Sequence, residues 1–204
     1  MTRIAFSRLS VLLITTCSAL TEYGCNSGTS GPVDMAAPQA VAQLNEPGGA
    51  QGTATFEETS DGVKITVNIT GVPTDGNFGM HIHATGDCAD TTGDGGVHHG
   101  AAGGHFNPDN VNHGCPSATP HHAGDLGNIT ISGGKGVLQL VSKDLTVSAG
   151  ARSVVGKAII LHGGTDDCAT QPTGNSGSRV GCGGGRHSPK ARAVRRRAGR
   201  ERLR

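Results

Sequence analysis

Nine of the ten histidines in this 204-residue chain lie between positions 81 and 162, and their order has a pattern. His81 and His83 stand two apart in Met80-His81-Ile82-His83, which reads as a strand, so both imidazoles leave one face and can share a metal. His105, His113 and His122 follow in a stretch without strand pattern. Asp125 comes three residues after His122, and His162 ends the apolar run Ala158-Ile159-Ile160-Leu161. Imidazole suits copper and zinc, and a carboxylate beside imidazoles suits zinc. A lone His-x-His would say little. Six histidines and one aspartate in this order point to a built metal centre rather than a His-rich loop that binds metal loosely.

Short strands would position these residues. Val63-Lys64-Ile65-Thr66-Val67-Asn68-Ile69 alternates apolar and polar residues, the mark of a half-buried strand. Shorter runs lie at 52–56, 80–83, 128–131, 137–141 and 158–161, separated by Gly, Pro, Asn and Asp. Between residues 84 and 125 no strand pattern appears, and so long a loop needs something to hold it. The 34 glycines, and the lack of any long apolar stretch of 3.6-residue period, exclude a helical bundle; the glycines have no three-residue period, which excludes collagen. The fold class expected is all-β, an antiparallel sandwich or barrel with long loops.

The net charge of +1 hides a division: residues 1–185 hold eight Lys/Arg against fifteen Asp/Glu, while residues 186–204 hold nine against one. Arg3 and Arg8 with the run Leu9-Ser10-Val11-Leu12-Leu13-Ile14 read as a signal peptide over 1–25, too short to span a bilayer permanently. Cys17 and Cys25 near its end resemble the lipidated cysteine of a bacterial lipoprotein start; a cleaved leader without an anchor is the simpler reading. Residues 26–40 form a flexible Ser/Gly/Pro/Ala linker. Beyond the leader remain Cys88, Cys115, Cys168 and Cys182; an even number in an exported chain suggests disulfides, and three pairings are open.

Four segments carry a family resemblance: Gly79-Met80-His81-Ile82-His83, Gly104-His105-Phe106-Asn107-Pro108, His122-Ala123-Gly124-Asp125-Leu126-Gly127-Asn128 and Thr173-Gly174-Asn175-Ser176-Gly177-Ser178-Arg179. From about Val41 to Cys182 the chain resembles the copper/zinc superoxide dismutase family, in its bacterial, exported type. The resemblance implies a Greek-key β-sandwich or barrel over 41–182. It implies copper at His81, His83, His105 and His162, and zinc at His105, His113, His122 and Asp125, with His105 shared. Asp166 matches a carboxylate that links a copper histidine to a zinc histidine, and Arg179 matches an arginine beside the copper that meets the substrate anion. The implied reaction takes superoxide through copper redox cycling to dioxygen and hydrogen peroxide, with His105 releasing copper and taking up a proton. Cys88 and Cys182 match the family's disulfide, which leaves Cys115 with Cys168. His98, His99 and His121 match nothing in the family and read as solvent-facing loop residues, with weak adventitious metal binding as the lesser reading. The loop Gly163–Ser178 is shorter than is usual in the family, with Pro172 where a lysine is often found, which implies weaker steering of the anion.

After Cys182 comes Gly183-Gly184-Gly185 and then a run rich in Arg, where the family has a last apolar strand. The expectation is therefore that this strand is missing, that residues 183–204 are a disordered basic tail, and that the sheet has an unpaired edge. The tail reads either as a binder of anionic surfaces or as a frame-altered end; no specific nucleic acid is expected. The expected location is the periplasm or envelope, with a lipid anchor and a homodimer left open. The rival reading of function is a copper/zinc-binding β-sandwich without turnover; retention of both His105 and Arg179 favours the enzyme.

Overall fold

The structure, a computed structural model, describes residues 37–90 and 98–188. Nine strands follow in order: β1 (Gln39–Asn45), β2 (Gln51–Thr59), β3 (Gly62–Thr70), β4 (Gly76–His83), β5 (Asp125–Ser132), β6 (Lys135–Ser142), β7 (Ala158–His162), β8 (Arg179–Gly184) and β9 (Arg186–His187). A single 3₁₀ turn, Gly100–Ala102, lies in the long loop among the described residues. The strands form one antiparallel sheet of order β8-β7-β4-β5-β6-β3-β2-β1-β9. β3 pairs with β6 and β4 with β7, so two connections cross over the barrel in the Greek-key manner.

Alternation builds the core. Val63, Ile65, Val67 and Ile69 of β3 are all buried, and opposite them in β2 stand Ala54 and Phe56. Full burial of one such side chain contributes about 1.5–3 kcal/mol. In β4 and β7, Met80, Ile82, Ile159 and Leu161 enter this core. Their alternate neighbours face the other way. Ala158 and Ile160 pack there with Ala102 and Cys182, while His81, His83 and His162 share that outer face. This strand pair is thus covered on both sides, by the core within and by the long loop without, which is why its burial does not alternate.

The expected missing strand is corrected by the structure. β8 pairs with β7, and after Gly185 β9 pairs with β1, so consecutive pieces of chain form the two ends of the sheet. No apolar alternation is needed because this strand is held by its backbone against crowded neighbours. A Cβ at Gly183 would lie 2.8 Å from the carbonyl oxygen of Gln43, and one at Gly184 2.6 Å from that of Gly86. The glycines that read as a break are the residues that fit. β9 covers β1 only at Ala40 and Val41, and β8 pairs on one side only, so the sheet keeps two ends; the tail expected to be disordered over 183–204 is ordered through His187. The rest of the tail, the leader with Cys17 and Cys25, and most of the linker lie outside the described residues.

Candidate metal centre

His81 and His83 from β4, His162 from the end of β7, and His105, His113, His122 and Asp125 from the loop and the start of β5 meet on the outer face of the barrel. The loop is pinned to β4 by backbone: Phe106 N–H donates to Ile82 O at 2.7 Å, Ile82 N–H to Gly124 O at 2.8 Å, and Ala84 N–H to Gly104 O at 2.9 Å. Nδ1 atoms of His83 and His162 donate to the carbonyls of Gly103 (2.8 Å) and Gly177 (3.3 Å). These partners assign the tautomers and leave both Nε2 atoms as bare acceptors, 3.3 Å apart and facing each other.

Asp166 and Asp125 do the same for the others. Nε2 of His81 donates to Asp166 Oδ2 at 2.8 Å, and Nε2 of His113 donates to Asp166 Oδ1 at 3.0 Å. Nδ1 of His105 donates to Asp125 Oδ1 at 2.9 Å. The remaining nitrogens, Nδ1 of His81, Nδ1 of His113 and Nε2 of His105, are buried without a hydrogen-bond partner. Asp125 Oδ1 also lies 3.1 Å from Nδ1 of His113 and 3.3 Å from Nδ1 of His122, while its Oδ2 accepts from the amides of His122 (2.8 Å) and Gly114 (3.1 Å).

An unsatisfied buried polar atom costs about 1–3 kcal/mol, and here several converge. A cation satisfies all of them at once, so the donor set fits bound metal. Two groups have donor atoms within 4.8 Å of one another: His81, His83, His105 and His162, and His81, His105, His113 and Asp125. His122 is not in the second group, though it stands 3.4 Å from His105, nitrogen to nitrogen. The His105 ring is central, with centroids 3.9 Å from His81, 5.0 Å from His83, 6.0 Å from His162, 5.4 Å from His113 and 5.5 Å from His122.

Burial disfavours protonation of four of these imidazoles, lowering His81 to about 4 and His162 to about 3, and pushing His83 and His122 down as well. Burial opposes ionisation of the two carboxyls, but the donors on them outweigh it and hold Asp125 and Asp166 well below the usual carboxylate range. Neutral imidazoles beside ionised carboxylates are the protonation states metal binding requires.

Arg179 at the start of β8 donates through Nη1 to His99 O and through Nη2 to Gly103 O, both at 2.6 Å. Its charge reaches His83 and His162, disfavouring their protonation. Disulfides join Cys88 to Cys182 and Cys115 to Cys168, the first tying the long loop to β8 and the second tying the two loops that carry His113 and Asp166.

Sequence reading missed several supports. Asn128 brackets Asp166, accepting from its N–H at 2.8 Å and donating to its carbonyl at 2.9 Å. Gln171 does the same for His113, at 2.8 and 3.0 Å. Asn128 could have been found, since it ends a signature segment; nothing local marks Gln171. Gly174 has φ +66°, and a Cβ there would sit 2.0 Å from Asp166 Oδ1. His99, read as solvent-facing, is buried, because its ring bonds back to the carbonyl of Cys88 at 2.8 Å.

The fold and this donor set meet in known proteins. The family model for copper/zinc superoxide dismutase (SODC) matches residues 50–184, and the chain belongs to that family. It is 38% identical over 152 residues to superoxide dismutase (Cu-Zn) A of Xenopus laevis, covering 71% of this chain and 95% of that protein. It is 36% identical over 138 residues to an extracellular superoxide dismutase (Cu-Zn) of Caenorhabditis elegans, covering 65% of this chain and 59% of that one. Among solved structures it is similar to the clock protein EA4, with TM-score 0.64 and 34% identity over 74% of this chain and 94% of the other. Copper and zinc are accordingly the metals of this centre.

Proposed function

We propose that the chain is a working superoxide dismutase that converts two superoxide anions and two protons to dioxygen and hydrogen peroxide. One observation carries the reading: the His105 ring is central, its centroid within 6.0 Å of those of all five other histidines of the centre. Copper is assigned to His81, His83, His105 and His162, and zinc to His105, His113, His122 and Asp125. Bound there, copper supplies the one-electron couple and zinc supplies fixed charge without redox chemistry.

The chain's own residues do the rest. Nδ1 of His105 lies on the Asp125 side of the ring, with the residues assigned to zinc, so Nε2 is the atom at which a proton could be held and passed to the reduced product. Asp166 keeps His81 and His113 turned inward. Arg179 presents a permanent cation beside His83 and His162, where an anion arriving at copper would be met. A binding protein without turnover would need neither a shared imidazole nor this guanidinium. We infer further that the protein is exported, on the strength of two disulfides, an extracellular relative and the basic-then-apolar start of the chain.

His105→Ala tests the shared histidine. Loaded in parallel with the unaltered chain, the variant should lose copper and zinc affinity together, and with them dismutation. Normal affinity for both metals and unchanged activity in the variant would refute the assignment.

A further inference from the structure

A second group of metal-ligating side chains lies outside this centre. Glu46 follows β1 in a turn fixed by its N–H to Ala50 O (3.0 Å) and by Gly49 N–H to its own carbonyl (3.1 Å). Its carboxylate meets two adjacent histidines of the long loop. Oε1 lies 2.9 Å from Nε2 of His98, and Oε2 lies 3.0 Å from Nε2 of His99. The two rings are 4.0 Å apart, and the three donor atoms lie within 4.8 Å of one another.

The chemistry at His99 decides what belongs there. Nδ1 donates to Cys88 O at 2.8 Å, so the neutral ring has a bare lone pair at Nε2. That atom is buried, in a side chain only 7% exposed, and has no hydrogen-bond partner although a carboxylate oxygen stands 3.0 Å away. Two lone pairs at that distance repel, and a proton or a metal ion between them removes the repulsion; with Glu46 and His98 converging on the same point, a metal ion would serve all three donors at once. The backbone of His99 is held as well. Its backbone N–H donates to Asp90 Oδ1 at 2.8 Å, and its carbonyl accepts from Arg179. Asp90 Oδ1 also lies 2.8 Å from Nδ1 of His98, the carboxylate–imidazole arrangement that orients a metal-binding histidine.

We propose that Glu46, His98 and His99 form a third metal site, distinct from the copper–zinc centre, that binds a borderline divalent ion such as zinc, with Asp90 as the positioning residue for His98. Two imidazoles and one carboxylate are a zinc donor set, and the His98 side chain is 46% exposed, which leaves room for water as a fourth ligand. An ion here would tie the end of β1 to the segment whose His99 and Gly103 carbonyls hold Arg179. The site does not depend on the dismutase reading.

The test uses the full chain, saturated with copper and zinc, passed through gel filtration and then titrated with Zn²⁺ alone, with binding read by calorimetry and metal analysis. The unaltered chain should take up one zinc beyond the two ions of the main centre. His98→Ala and Glu46→Gln should each weaken that third ion at least tenfold while keeping the main centre's copper and zinc. A chain that binds only two ions overturns the proposal, as does a third ion that persists undiminished in both variants. Turnover measured on the same samples reports separately on the dismutase reading, so failure of one is not mistaken for failure of the other.

Discussion

His83 and Arg179 donate to the same acceptor: Nδ1 of His83 lies 2.8 Å and Nη2 of Arg179 2.6 Å from the carbonyl oxygen of Gly103. A metal-facing imidazole and the guanidinium proposed to meet the substrate therefore hang from one backbone atom. A carbonyl has two lone pairs and can serve both.

Arg179→Ala should lower dismutation roughly tenfold or more, since a hydrogen bond to a charged group contributes about 1.5–3 kcal/mol. Copper content should not change, because the His83–Gly103 bond survives. Arg179→Lys should recover only part of the rate, as an ammonium keeps the charge but not the fork that reaches both carbonyls. Full turnover in Arg179→Ala would remove the arginine from the reaction, and loss of copper would make its role structural.

Asp166→Asn should weaken metal binding on the order of 10–100-fold, the usual effect of removing a partner that orients ligand histidines. The amide offers one acceptor oxygen where the carboxylate offers two, so His81 and His113 cannot both donate to it. Competition against a chromophoric chelator measures the change; equal affinities in the two proteins would show that Asp166 orients neither ring.

Acid sensitivity should include a contribution far from the metals. Glu58 accepts from the amides of Ser148 (2.7 Å) and Val147 (3.1 Å), fastening the loop between β6 and β7 to β2. Burial opposes ionisation, but the Ser148 and Val147 donors outweigh it and lower the carboxyl's pKa. A carboxyl depressed on folding contributes stability that is present above its unfolded value of about 4.3 and is lost as pH falls through the folded value. Glu58→Gln should therefore be less stable than the unaltered chain in urea at neutral pH. The gap should close as pH falls through the folded value. A gap independent of pH would mean that the carboxylate charge plays no part.

What could be read in the sequence divides along a physical line. Strand β3 was legible because each buried residue is apolar and each alternate one polar. The metal histidines were legible because imidazole at those spacings has little other use. Closure of the barrel was not legible, since Gly183 and Gly184 act through what they lack; the sequence looks like a break where the backbone needs closeness. The third histidine cluster was likewise hidden. His98 and His99 are adjacent in sequence, but Glu46 comes from 52 residues earlier and only the fold brings it to them. The supports at Gly103 and Gly177 are backbone carbonyls, which no residue type announces.

The most direct test of the account is decay of a large molar excess of superoxide over the copper- and zinc-loaded chain, followed by stopped-flow absorbance with dioxygen and peroxide measured at the end. A working dismutase gives many turnovers per copper, one dioxygen and one hydrogen peroxide for every two superoxide anions consumed, and loses the catalysed rate when copper is removed and zinc kept. Consumption of about one superoxide per copper followed by uncatalysed decay would contradict it, leaving a metal-binding barrel that does not turn over.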